Sequence, residues 1–329
     1  MKKRSLLRPV SLPRFCLALL ALSGLMDGIT SAEDPVEPLW IIDTHTHFKG
    51  KEQIALESKT RKFDPRNTLG HVVKPEDYRE LANRLNIQAT VVVEAVDQDQ
   101  HRFNDWVLEQ AKSDLICGYI ARGNLASNDF VSHHERYKAT GYLRGYRFRR
   151  EELQGYLQNE VAQSNLKRLE QDGMIVDLLI SDAQAQSVVT LARAYPKLII
   201  VVDHCFRQGV KGPNVTPQWS EAVAMCGTLP NVHCKLSSVL NFLGTKAFGA
   251  PAPNDLEAYR PILQTCYDSF GEDRLMFATN WGVCTHFGEV DDVVRIVAEF
   301  AESQGEGVMR KVMRNNAIRI FKIRDEHLR

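Results

Sequence analysis

After residue 32 the sequence contains no run of 18 apolar residues, which excludes a helical membrane span from that part of the chain. Cys-x-x-Cys pairs are also absent, so the six cysteines that follow Cys16 carry no redox or zinc-ribbon signature. Those six are Cys117, Cys205, Cys226, Cys234, Cys266 and Cys284. Their even number permits disulfides, but the wide, irregular spacing reads as mostly free, buried thiols in a domain large enough to need no staples. With 13 Pro and 20 Gly in 329 residues, collagen-like and low-complexity classes are excluded. A basic stripe is missing too. Of 41 basic and 41 acidic residues, five basic and one acidic fall in the first 32, leaving 36 against 40 for the rest. That mildly acidic remainder argues against nucleic acid as a partner. No internal repeat and no Pro-, Gly- or Ser-rich linker divides the chain, so one domain is expected over 33–329. A glycine-rich phosphate loop is lacking after the first strand, which weakens the nucleotide-binding form of an open, doubly wound sheet.

What is present begins with an export signal. Lys2, Lys3, Arg4, Arg8 and Arg14 precede the apolar run Phe15–Met26. At 1.5 Å per residue, twelve residues fall short of a bilayer core of ~30 Å, but they suit the apolar region of a signal peptide. Thr30-Ser31-Ala32 supplies small residues for cleavage. Residues 1–32 are therefore expected to be removed, leaving an exported protein with no stable membrane association; an uncleaved anchor is the alternative.

Short β-branched runs then alternate with amphipathic stretches of helical period. Strands are expected at Trp40–His45, Ala89–Glu94, Ile116–Ala121, Leu143–Phe148, Met174–Ile180, Ile199–His204, Val232–Ser237 and Leu275–Asn280. Helices are expected at Pro75–Asn86, His101–Lys112, Val161–Gln171, Ala183–Tyr195, Gln218–Gly227, Leu256–Phe270, Asp291–Gln304 and Val308–Phe321. Pro75 suits a first helical turn, and Asp182 is placed to cap its helix. Strands apolar on both faces belong to a helix-covered parallel sheet. Eight strand–helix units match a single-domain α/β fold, the (β/α)8 TIM barrel, with long connections at 48–74 and 238–255 on its active face.

Histidines cluster where such a barrel keeps its chemistry. His45-Thr46-His47 closes the first strand, and alternation along a strand lets both imidazoles face one site. His204 ends the sixth strand in the same manner. Imidazole is a common ligand for zinc and similar ions. His-x-His alone is a weak signal, since two polar loop residues produce it often; its place at the end of a buried strand gives it weight.

The segments IIDTHTHF, VVDH, PNVHCKLSS and FGEDRLMFATNWGVC resemble the amidohydrolase superfamily, in particular its amidohydrolase-related branch with sugar-lactone and aromatic-pathway lactonases. The resemblance extends from Leu39 to Phe321. It implies a (β/α)8 barrel and hydrolysis of esters, lactones or amides, with one divalent metal, Zn2+ foremost, held by His45, His47 and His204. Metal-free members leave a version without the ion open. By the same resemblance Arg147 and Lys235 face a small anionic or polyhydroxylated substrate, with Trp281 lining the pocket or packing. Asn280 stands where the family often places an aspartate that binds metal and accepts a proton from water. An amide does neither well, so Glu94, at the end of the second strand, and His286, after the eighth, are the alternative bases. A paired carboxylate is an equal reading of Glu94. Besides lactone or ester hydrolysis, two readings stand: a non-oxidative decarboxylase on the same barrel, and a catalytically weakened binding protein.

Overall fold

The computed structural model of the chain describes residues 39–95, 100–207, 212, 214–305 and 307–328. The expected signal peptide and its cleavage site lie outside them. Among the described residues, no helix is long and apolar enough to cross a membrane.

Each expected strand forms: β1 (Ile41–Thr46), β2 (Ile87–Val93), β3 (Ile116–Arg122), β4 (Leu143–Arg149), β5 (Ile175–Leu179), β6 (Ile199–Val202), β7 (Val232–Leu236) and β8 (Leu275–Phe277). They pair in chain order, every pair parallel. A parallel bridge between Thr46 and Trp281 brings the chain after β8 back to β1. The architecture is the (β/α)8 barrel, as the alternation of strands and helices predicts.

The covering helices are α1 (Lys51–Glu57), α2 (Pro75–Arg84), α3 (Gln100–Gln110), α4 (Phe130–Lys138), α5 (Arg150–Gln158), α6 (Glu160–Gln171), α7 (Ala185–Ala194), α8 (Pro217–Gly227), α9 (Leu240–Leu243), α10 (Arg260–Phe270) and α11 (Val290–Ser303). Their starts obey local chemistry. Pro75 stands in the first turn of α2, the Asn159 side chain accepts from Ala162 N at the start of α6, and the Thr216 hydroxyl accepts from Trp219 N at the start of α8. Asp182 does not cap α7; it opens a short 3-10 turn, Asp182–Gln184, that leads into it.

Two apolar clusters hold the layers together. The larger lies between the outer strand faces and the helices. The smaller fills the barrel interior, where Ile42, Val91, Val93, Cys117, Ile175, Val201 and Met276 meet Ile320 and Phe321 from the C-terminal segment. Phe321 is fully buried and lies 5.7 Å below the Lys235 ammonium, so the chain's end plugs the barrel floor under the polar residues.

Truncating a ring with no solvent exposure removes transfer free energy and leaves a void. Phe321→Ala is expected to cost about 3–5 kcal/mol in urea unfolding, while Met225→Ala, at a side chain 42% exposed, should change stability by no more than about 0.5 kcal/mol.

Candidate active site

β1 prepares the first two imidazoles. Against β2 its register shifts between Asp43 and Thr46, the signature of a bulge, and a bulge re-aims the side chains that follow. Asp43, before the bulge, faces outward as an anchor: Oδ1 accepts from His45 N (3.1 Å) and Thr279 N (3.0 Å), and Oδ2 accepts from the hydroxyls of Tyr78 (2.7 Å) and Thr279 (2.5 Å). One carboxylate thus fixes the ends of β1 and β8 and the helix α2. Burial nevertheless raises its pKa against those hydrogen bonds. After the bulge, His45 and His47 face each other edge-on with ring centroids 4.8 Å apart.

His204 arrives by a different device. β6 stops at Val202, and His204, Cys205 and Phe206 all take left-handed backbone angles (φ 54°, 53° and 57°). Three consecutive non-glycine residues of this kind cost of order 1 kcal/mol or more each, and such strain collects at functional sites. The turn sets the His204 ring 4.7 Å from that of His45. Asn280 is left-handed as well (φ 57°), which ends β8 earlier than the sequence suggests.

Donor and acceptor roles follow from the partners. The Val93 carbonyl, 2.9 Å from His47 Nδ1, can only accept, so Nδ1 carries the ring proton and Nε2 presents a lone pair. His45 Nδ1 lies 3.2 Å from an Asp203 oxygen, the nearer partner and an acceptor that draws the ring proton to it, and 3.4 Å from the Lys235 ammonium; His204 Nδ1 pairs with the Ser237 hydroxyl at 2.8 Å. That leaves Nε2 of each ring for the interior. His47 Nε2 is 3.2 Å from His45 Nε2 and 3.2 Å from Asn280 Oδ1, while the Asn280 amide nitrogen donates to Ser238 Oγ (2.9 Å). Lone pairs converge here with no proton between them. The 3.2 Å spacings of His47 Nε2 from His45 Nε2 and Asn280 Oδ1 suit ligands about 2.0–2.1 Å from a shared ion, and His45, Asp203 and His204 each offer a ligand atom within 4.8 Å of one another, so the residues present fit a divalent metal.

A layer of buried charge supports the rings. Asp203 meets Arg147 Nη2 at 2.9 Å and Lys235 Nζ at 3.0 Å; Lys235 also meets Asp177 at 2.5 Å. Burial opposes ionisation of Asp203, yet Lys235, His45 and Arg147 hold its pKa well below the ordinary range. Asp177 behaves oppositely: burial and the Asp203 charge push it up to about 8, against the pull of Lys235 and Arg147. Burial draws Lys235 down, but the two carboxylates outweigh it and hold the ammonium above its usual value. Asp203 is the fixed anion of the layer.

The chain therefore brings His45, His47, His204 and Asn280 together, with Arg147 and Lys235 directly behind. The two cations engage internal carboxylates, where the sequence placed them against substrate. Glu94 is buried and paired with Arg149 (3.4 Å) and Arg147 (3.9 Å), so of its two readings the ion pair is the one found. His286 stands apart from the rings. Its Nε2 meets Asn67 Oδ1 at 3.1 Å, part of a tie between the connections after β1 and β8 that also includes Thr68 with Thr285 (3.1 Å). The Trp281 ring packs on Tyr78 (4.7 Å) and Phe48 (5.7 Å) within the core. A cavity of about 830 Å3 opens elsewhere, beside Leu56, Phe103 and Trp106; none of the four convergent residues lines it, so chemistry and not cavity size marks the site. Asp203, Asp177, Asp43 and Ser237 were missed from sequence. The available signal was an aspartate within or directly after an apolar strand, present at Asp43, Asp177 and Asp203 alike, since a buried charged residue needs a partner.

Burial dominates the ring pKa values. His45 lies far below 6.5, and His47 and His204 are lowered to about 3, with Arg147 adding to the effect. His233, on β7, is likewise lowered to about 3 by burial. Between pH 6.5 and 3 the unfolded chain binds protons at these histidines and the native chain does not. Stability is complete above pH 6.5 and lost as pH falls. Asp177 acts in the other direction between pH 8 and 3.8, with one proton against at least three. The metal-free protein should thus lose on the order of 2 kcal/mol per pH unit between pH 6 and 4, read from denaturant midpoints. A flat profile would contradict the neutral-ring assignment.

A family model described as amidohydrolase matches residues 42–323. The L-fucono-1,5-lactonase of Burkholderia ambifaria is 26% identical over 258 residues, covering 75% of this chain and 83% of that protein. Among solved structures, an amidohydrolase from Burkholderia multivorans with bound zinc superposes with a TM-score of 0.72 at 21% identity, over 87% of this chain and all of that one. A 2,6-dihydroxybenzoate decarboxylase from Rhizobium superposes with a TM-score of 0.60 at 15% identity, over 87% of this chain and 99% of that one.

Proposed function

Since the chain belongs to the amidohydrolase family, we propose that it hydrolyses a lactone or ester of a small polyhydroxylated or anionic acid, using one zinc-like divalent ion held by His45, His47 and His204. The contacts of His47 Nε2 with His45 Nε2 and the Asn280 amide oxygen, and the His204 ring 4.7 Å from that of His45, carry this reading. The similarity to an L-fucono-1,5-lactonase supports the substrate class, and the zinc in the Burkholderia multivorans structure supports the ion.

Each residue has a task in that chemistry. A divalent ion, when bound, supplies Lewis acidity that acidifies water and polarises a carbonyl. Nδ1 of His47 is pinned by the Val93 carbonyl and Nδ1 of His45 by Asp203, so both rings keep Nε2 turned inward without rotation. Arg147 and Lys235 are positioning residues: they keep Asp203 anionic, and Asp203 keeps the His45 proton on Nδ1. Asn280 donates a neutral oxygen and takes no proton. Burial of the rings excludes bulk water and strengthens every electrostatic contact inside.

Without an ion, His45 Nε2 would have to take the proton of the attacking water, with Asp203 steadying the resulting imidazolium. Burial holds His45 far below 6.5, which makes it a weak base and favours the metal-bearing form. The decarboxylase reading shares the barrel and has no residue-level observation of its own.

Metal analysis of the purified protein should find about one zinc-class ion per chain, and a sugar-lactone panel should reveal ring opening with no release of CO2. Asp203→Asn should weaken metal affinity by about 10–100-fold, measured by chelator competition, with the barrel still folded. Metal binding indifferent to both His204→Ala and Asp203→Asn would remove the site from this pocket.

A further inference from the structure

Behind the imidazoles, on the outer side of the sheet, three cysteines meet. Cys205 follows His204 in the left-handed turn, Cys234 precedes Lys235 on β7, and Cys266 comes from α10. All three are free and fully buried, and their sulfurs lie within 4.8 Å of one another. Strand alternation explains the placement. On β7 Lys235 faces the site and Cys234 the helix layer, while the left-handed turn that aims His204 inward carries Cys205 to the same outer side.

Sulfurs at this separation have the spacing of a coordination triangle: three ligands at ~2.3 Å from one centre stand about 4 Å apart. The donor set is uniformly soft, with no carboxylate or imidazole in it, and thiolates of this kind select copper(I), zinc or iron–sulfur units over hard cations. Structural zinc takes four ligands. The trio supplies three, and the nearest oxygen is the Lys235 carbonyl, 3.5 Å from Cys205 Sγ and 3.8 Å from Cys234 Sγ, turned toward the thiols as their acceptor. A monovalent copper ion needs no fourth ligand.

Charge supplies the second observation. Arg207 is only 3% exposed, packed between the rings of Trp219 (5.5 Å) and Phe242 (5.1 Å), with Nη2 donating to the Gly212 carbonyl (2.8 Å). Its Nε and Nη1 have no hydrogen-bond partner among the described residues, and its charge interacts with Cys205, Cys266 and, more weakly, Asp182. A buried cation left this way is costly unless an anion offsets it. Copper(I) with three thiolates carries two negative charges, which the adjacent Arg207 cation offsets in part; the three displaced thiol protons leave to solvent.

We propose that Cys205, Cys234 and Cys266 form a soft-metal site for monovalent copper, one residue behind the hydrolytic site and sharing no ligand with it. The test uses the whole chain without oxygen, titrated with Cu(I) supplied as a coloured chelator complex. One ion per chain should leave the chelator, and X-ray absorption should show a sulfur-only shell. Cys266→Ser and Cys266→Ala should each weaken uptake by more than about tenfold, as loss of a ligand does, whereas Cys226→Ser, at a buried thiol outside the trio, should leave it unchanged. Absence of uptake, a nitrogen shell, or uptake equal in both Cys266 variants and the parent would overturn the proposal. The wild-type sulfur count stands even if a variant unfolds, and none of these readouts depends on lactone hydrolysis.

Discussion

One buried carboxylate organises this barrel mouth. An ion taken out of water without partners costs several kcal/mol, and Asp203, 1% exposed, meets that cost by drawing Arg147 from β4, Lys235 from β7 and the Nδ1 of His45 after β1 onto its two oxygens. Neither cation would tolerate the interior alone. The three contacts therefore stand or fall together, and they fix four strand ends relative to one another at the place where the imidazoles meet. Asp177 completes the layer, meeting Lys235 at 2.5 Å and Arg147 at 3.8 Å, so the same two cations separate it from Asp203.

The backbone contributes its own constraint. A regular strand would alternate its side chains, and regular continuation of β6 and β8 would carry His204 and Asn280 past the mouth. The bulge in β1 and the left-handed residues at 204–206, 238 and 280 bend each strand end toward a common point. Strain of this kind persists only where surrounding contacts over-determine it. Here the Asp43 clamp, the Ser237 and Ser238 hydroxyls and the Asp203 layer do so.

Much of this was legible in the amino-acid order, because a parallel barrel writes itself as apolar runs at regular spacing, and ligands at strand ends follow by topology. All eight strands and the three histidines could be placed. Helices α1, α4, α5 and α9 could not: α9 is a single four-residue turn, and the other three are seven to nine residues long, largely polar, and start without a side-chain cap bond on their first N–H groups, so the periodic signal is weak. Pairing between distant charges was also hidden. Arg147 and Lys235 read as substrate contacts because each sits at a strand end, but what a buried cation touches depends on which carboxylate lies opposite, and Asp177 and Asp203 come from strands 30 and 56 residues beyond Arg147. Nothing in the order of residues reveals the bulge that re-phases β1, since the extra residue is defined only against β2.

Asn280 then acquires a meaning beyond a missing base. Arg147, Lys235 and Arg149 are paired with Asp203, Asp177 and Glu94, so cations and carboxylates match in number behind the imidazoles. Three neutral rings and a neutral amide add nothing. A divalent ion on these four groups would bring two positive charges into a buried pocket with no protein anion among its ligands, and in a low dielectric such charge is expensive unless an incoming group offsets it. An aspartate at 280 would neutralise half of it permanently. With asparagine the compensation falls to whatever enters the mouth, which favours hydroxide and carboxylate-bearing ligands over neutral ones. In the proposed metal-bearing form an asparagine here would thus trade a proton acceptor for a stronger pull on anions, at a position whose left-handed backbone asparagine tolerates better than most.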